Sequence, residues 1–200
     1  QRFAKLPDLL TGQEFYSFKM QRDPVQMTPS EQEIYDSGKW VDWVDLAMRQ
    51  GFTHDHNLSV SGGFKDTKYY ISGGLLDVTG LALNDNFQRI TSRINVETKI
   101  ANLFSIGTRT QISLDDASGA SPSFRQGEVG PFNMNPLTSA YDEYGNLTVF
   151  PWPRIIDGNP LQGILYDDLD KSNQILSNNY LIVNIPFIKG LSYRNNTALR

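Results

Sequence analysis

Among the side chains able to do chemistry, two histidines come first, because His54 and His56 flank Asp55. Alternate residues of a strand share a face, and a His-x-His pair on one face can begin a metal site. The chain holds only 2 histidines and offers no clear third ligand beside them. A polar strand start near a rim is therefore the favoured reading, and no metal is expected. Carboxylates crowd at Asp115-Asp116 and at Asp167, Asp168 and Asp170, but neither cluster has the spacing, glycine and closing glutamate of a calcium loop. Asp115 and Asp116, as strand neighbours, face opposite ways, whereas a glycosidase pair must flank one bond. No catalytic residue is expected, and the chain is read as not an enzyme.

Gly62-Gly63 and Gly73-Gly74 sit inside strand-like runs, not before a helix. They mark a bend or a close backbone approach, not a phosphate cradle. There are no cysteines, so disulfides and thiolate centres are excluded. With 18 basic and 22 acidic residues the net charge is −4, which shows no basic excess for nucleic acid.

Two sets of residues remain as binding candidates. Arg125, Tyr141, Tyr144 and Trp152 fall in a long irregular stretch rich in Gly, Pro, Asn and Ser. Loop aromatics stack on ligand faces and Arg forks onto carboxylates, although the same residues also pack a loop on itself. Arg93, Asn95, Glu97, Arg109 and Gln111 share the polar side of two alternating runs. In a barrel they point to the lumen; in a soluble sheet they face water.

The elements that must position these residues follow from periodicity. Thr11-Gly12-Gln13-Glu14 and Thr28-Pro29-Ser30-Glu31 both match a capping box. The second predicts a helix from Pro29 to Ser37, stopped by Gly38. A third short helix is expected from Asp42 to about Gln50, with Gly51 ending it. From there the period becomes two. Ile90, Ser92, Ile94, Val96, Thr98 and Ile100 oppose Thr91, Arg93, Asn95, Glu97 and Lys99. Phe104 to Leu114 repeats the pattern, and Leu191 to Leu199 does so more weakly. Two runs of about eleven residues suit the ~9–11 needed to cross a bilayer at a tilt. Tight turns are expected at 64–68, 101–103 and 186–190. Longer connections fall at 77–88 and 115–174, with a small hairpin at Asp142–Asn146. Short and long connections alternate in this way in outer-membrane barrels. A mean hydropathy of −0.40 and the lack of a long apolar run exclude a helical membrane protein but not a barrel, whose strands alternate. Aromatic residues make up 12% of the chain, which suits strands and interface girdles alike. A chain that stops inside an alternating run is expected to be a piece of a larger protein.

The residues from Trp40 to Asn95 carry a family resemblance. Trp43-Val44-Asp45, Gly51-Phe52-Thr53 and His56-Asn57-Leu58-Ser59-Val60-Ser61-Gly62-Gly63 resemble the start of the barrel in the SusC/RagA family of TonB-linked outer-membrane proteins. Thr67-Lys68-Tyr69-Tyr70-Ile71-Ser72-Gly73-Gly74, Asp77, Gly80, Phe87-Gln88-Arg89 and Arg93-Ile94-Asn95 continue the match. Lys189-Gly190-Leu191 and Asn159-Pro160-Leu161 are similar to later parts. The resemblance implies a mainly β fold: an antiparallel meander of long hairpins, part of a large transmembrane β-barrel, with a short-helix segment at the N-terminus. It implies residues 1–52 as short helices, an outer-rim loop or the end of a plug. Residues 53–200 are then barrel strands with a long extracellular loop at about 115–176. It further implies a bacterial outer-membrane location and import of oligosaccharides or peptides. The implied partners are a SusD-like surface lipoprotein, outer-membrane lipid and, through a missing N-terminal part, the TonB complex. No cofactor and no nucleic acid are expected. The other reading is a soluble antiparallel β-domain that binds carbohydrate or a protein partner. What covers the apolar strand face decides between them, because a soluble sheet must bury it against a second layer.

Overall fold

The computed structural model describes residues 9–22, 27–101, 103–122, 130–152 and 158–200. The chain divides into two compact units. The first draws on Gln1–Gly51, Gly80–Asp85 and Gly119–Asp168; the second on Phe52–Thr79, Asn86–Ser118 and Leu169–Arg200.

The first unit carries three helices, α1 (Gly12–Arg22), α2 (Pro29–Ser37) and α3 (Trp43–Ala47). Both capping boxes form. The Thr11 amide donates to Glu14 Oε2 at 2.8 Å, and the Thr28 amide to Glu31 Oε2 at 2.7 Å. The reciprocal bonds run from the Glu14 and Glu31 amides to the threonine hydroxyls. These bonds satisfy amides that a helix start leaves without intrahelical partners. Gly38 closes α2 at φ 67°, a left-handed conformation that costs glycine little.

The third helix is shorter than its sequence pattern. It stops at Ala47, and Gly51 is not its terminator. Met48 instead bridges Ala82, the Arg49 amide donates to the Leu81 carbonyl, and the Leu83 amide to that of Ala47. Pairing with residues 81–83 thus draws the chain out of helical geometry. The core of this unit is Trp43, Ala47, Met134, Ala140 and Leu161, packed with Val41, Leu46, Leu83 and Leu147. Short helices are not stable alone, and burial against the 134–161 segment supplies what length cannot.

The second unit is a six-stranded antiparallel meander, in the order β1 (Phe52–Phe64), β2 (Thr67–Thr79), β3 (Asn86–Ile100), β4 (Phe104–Asp116), β5 (Lys171–Asn184) and β6 (Ser192–Leu199). The expected antiparallel meander of long hairpins is present. β3 and β4 extend beyond the alternating runs that announced them, Ile90–Ile100 and Phe104–Leu114. β1 and β2 each have 13 residues, with only Lys65 and Asp66 between them. The register explains the extension: Phe52–Asp55 pair with Leu76–Thr79, which pair in turn with Asn86–Arg89. Ladder hydrogen bonds thereby carry residues whose own pattern is weak. β5 likewise begins at Lys171, a little before the expected end of the long connection.

Candidate functional site: the two faces of the sheet

The register assigns every strand residue to a face. Asn95 pairs with Tyr70 and Arg109, Arg93 with Ser72 and Gln111, and Glu97 with Lys68 and Gly107. Arg93, Asn95, Glu97, Arg109 and Gln111 therefore lie on one side, as their alternation predicts. With Tyr69, Val96, Thr108, Thr110 and Leu176 they line one cleft of about 550 Å³, to which polar groups also come from Lys68, Tyr70, Asn178 and Tyr180. Sequence reading missed those last four. Tyr70 follows from the Lys65-Asp66 hairpin by counting across the turn. Tyr180 and Asn178 need the β4–β5 register, which spans 54 intervening residues.

Within the cleft, Arg93 Nη2 donates to Gln111 Oε1 at 2.7 Å, and the Tyr180 hydroxyl to Glu97 Oε2 at 2.6 Å. The Arg194 guanidinium lies 5.0 Å from the centroid of the Tyr180 ring. Towards the end of the same face, Arg89 forks onto Asp115, with both N···O distances 2.9 Å. This bidentate geometry is the strongest form of guanidinium–carboxylate contact.

The opposite face has a banded composition. Near the 80–85 connection it carries His54, Asp77, Gln88, Asp116 and Lys171, which pair in sequence across five strands. Beyond them come Leu75, Ile90 and Leu114, then Leu58, Ile112 and Ile175, then Val60, Ile71, Ile94 and Leu199. Near the turns lie Phe64, Tyr69, Phe104 and Tyr193. None of these apolar side chains is buried: Leu58 is 81% exposed, Ile175 56% and Ile94 39%. Among the described residues of the sheet unit only Gly107 and Ser177 are buried. The band is interrupted between β4 and β5. There the Thr110 and Ser177 hydroxyls lie 2.9 Å apart, and Asn179 Nδ2 donates to Ser177 Oγ at 3.2 Å. These polar groups satisfy one another within the sheet.

His54 and His56 stand parallel on this face, ring centroids 6.3 Å apart, while Asp55 points to the other side. Among the described residues no three metal-ligating side chains come together. Gly62 lies under Tyr69, whose hydroxyl would meet an added Cβ at 2.6 Å, so the glycine permits a close approach across the β1–β2 pair.

The loop candidates are placed separately. Tyr141 and Tyr144 flank a tight turn in which Asp142 Oδ1 accepts from the Tyr144 and Asn146 amides, at 2.9 and 2.8 Å. Those backbone donors, that of Asn146 first, hold the Asp142 carboxyl below its ordinary value. Tyr144 is 80% exposed at the tip. Trp152 is half-buried, and its Nε1 has no hydrogen-bond partner among the described residues. Arg125 lies outside the described residues.

A buried carboxylate that the sequence marked only as a cap organises the first unit. Glu31, 1% exposed, accepts from Lys19 Nζ and from Asn135 Nδ2, both at 2.6 Å. The Asn135 carbonyl in turn accepts from Trp43 Nε1 at 3.0 Å. Burial pushes the Glu31 carboxyl up, but Lys19 and the Thr28 donors outweigh it and hold the carboxyl below its ordinary value.

Comparison with known proteins gives a consistent picture. No family model matches the chain. TonB-dependent receptor P3 of Formosa agariphila is 28% identical over 164 residues, covering 82% of this chain and 15% of that protein. TonB-dependent receptor SusC of Bacteroides thetaiotaomicron is 38% identical over 56 residues, 28% of this chain and 6% of its own length. The chain thus spans a small part of each relative. Among solved structures, that of the RagAB peptide transporter aligns with a TM-score of 0.70 at 21% identity, over 96% of this chain and 25% of its own. A RagAB peptide importer in a closed-closed state aligns with a TM-score of 0.68 at 20% identity. In sequence this chain resembles a segment of the SusC-type TonB-dependent receptors, and in fold a quarter of the RagAB transporter chain, as the residues from Trp40 to Asn95 imply.

Proposed function

We propose that this chain is a segment of a TonB-dependent outer-membrane transporter that imports oligosaccharides or peptides together with a SusD-like lipoprotein. The sheet forms part of the barrel wall. Its Leu/Ile/Val face meets outer-membrane lipid and its Arg93–Arg109 face meets the lumen. Residues 1–52 form an outer-rim loop or the end of a plug, and Arg125, Tyr141, Tyr144 and Trp152 contact substrate. Coupling to TonB lies in the remainder of the protein.

One observation carries the reading: the sheet has a face none of whose Leu, Ile and Val side chains is buried, and a charged face opposite. A soluble β-domain gains its stability by burying such a face, at about 25 cal/mol per Å² removed from water. A barrel wall exposes it to hydrocarbon, with polar and aromatic residues at the two margins. The relatives' names support the same assignment.

The test is fractionation of cells that express the full-length protein. Recovery in the outer-membrane fraction, released only by detergent, supports the transporter. Recovery in soluble lysate overturns it.

A further inference from the structure

The sheet pairs its cations with acids where both are at hand, Arg89 with Asp115 and Lys171 with Asp116. In the central cleft it does not. Lys68, Arg93 and Arg109 line it together with a single acid, Glu97. Glu97 sits opposite Lys68 in register and one diagonal step from Arg109, so both cations are cross-strand neighbours of it. Its carboxylate instead takes the Tyr180 hydroxyl. Arg93 binds the neutral Gln111. Among the described residues, no ion pair forms within the cleft, and three cationic heads share one volume.

We propose that the cleft binds a carboxylate group of the imported solute. Arg109 and Arg93 supply planar forks matched to a carboxylate, and Lys68 adds a point charge. Asn95, Asn178 and Gln111 present neutral donors and acceptors, and Tyr70 and Tyr180 add aromatic rings. These suit an oligomer of acidic sugars or acidic residues, and about 550 Å³ accommodates a few units of it. Tyr180 acts as a positioning residue, because its hydrogen bond holds the Glu97 carboxylate out of an ion pair with Lys68 or Arg109. The proposal rests on the importer reading, in which this face lines the lumen.

The test uses the full-length protein purified in detergent, with tetragalacturonate and tetraglutamate as acidic probes. Maltotetraose and tetraglutamine serve as neutral counterparts, and binding is followed by calorimetry. One acidic probe binds at least tenfold tighter than its counterpart, and Arg109→Gln and Arg93→Gln each remove most of that preference. Whichever acidic probe binds distinguishes a sugar from a peptide source. Equal binding of acidic and neutral probes, or unchanged preference in Arg109→Gln, overturns the proposal.

Labelling separates this failure from failure of the importer reading. Asn95→Cys and Ile94→Cys, on a cysteine-free background in membranes, are treated with a water-soluble maleimide. Reaction at 95 alone supports a wet lumen, and the probes then decide the carboxylate site by itself. Reaction at 94 alone overturns the barrel orientation and the carboxylate site with it. Reaction at neither shows another segment of the protein filling the cleft, which overturns the solute site.

Discussion

The ring of Tyr180 lies over Gly107, its register partner on β4, and reaches past it to place its hydroxyl 2.6 Å from Glu97 on β3. One aromatic side chain thereby ties three strands together. It needs position 107 to lack a side chain, because a Cβ there would fall among the ring carbons. Gly107→Ala is expected to displace the ring and destabilise the assembled protein by about 1–3 kcal/mol, the usual cost of overpacking. Tyr180→Phe keeps the packing but frees Glu97, so preference for the acidic probe falls while assembly changes little. Thermal unfolding and calorimetry on the two variants separate the effects; equal loss of stability in both refutes the distinction.

Ile94 and Asn95 are chain neighbours on opposite faces. Ile94→Arg places a charge on the apolar side near mid-strand, where barrel proteins lose about 2–4 kcal/mol. Asn95→Arg adds the same charge to the polar side and is expected to be tolerated. The yield of heat-modifiable protein in outer-membrane fractions checks the pair. Similar yields for both would contradict the assigned orientation of the sheet.

Glu31 couples α1 and α2 to the 131–138 segment through Lys19 and Asn135. Glu31→Ala leaves the partly buried Lys19 and the buried Asn135 amide without their acceptor and is expected to cost about 1–3 kcal/mol locally. Because the folded carboxyl is held below its ordinary value of 4.5, its contribution is present above that pH. It is lost as pH falls through the depressed folded value. Hydrogen exchange over residues 28–37 and 131–138 should accelerate in the variant at neutral pH. In the native protein it should accelerate only in acid, and protection that does not respond to pH would refute the account.

Trp152 and Tyr144 are expected to contact substrate through their rings. Alanine at either should weaken binding of the imported solute by the full-length protein about tenfold or more, in keeping with ~1–3 kcal/mol per stacked ring. Unchanged affinity in Trp152→Ala would remove that residue from the site.

Local chemistry was legible in the sequence and long-range pairing was not. The caps at Thr11 and Thr28 and the glycine stop at 38 depend on neighbours within four residues, so they could be read directly. The faces of β3 and β4 likewise follow from strict alternation. The ends of β1 and β2 could not be read, because Phe52–Asp55 and Asp77–Thr79 owe their extended state to a neighbour's hydrogen bonds. Glu31–Asn135 and Trp43–Asn135 contacts join residues 104 and 92 positions apart. No periodicity reports such a pairing. The five polar-face residues were found as a set, whereas the partner that governs Glu97 was hidden by the long connection before β5.

The hairpin ends are not level. β3 runs two residues past the end of β2, from Thr98 to Ile100, and β5 passes the start of β4 by one, at Asn184. At the other end β4 stops at Asp116, opposite Gln88, two residues short of where β3 begins. At the turn end the drift sums to three residues over five pairings, all in the same direction. Continued around a closed cylinder, a drift that never reverses inclines every stave to the axis. The slope of such a wall is thus already written in the uneven lengths of three hairpins.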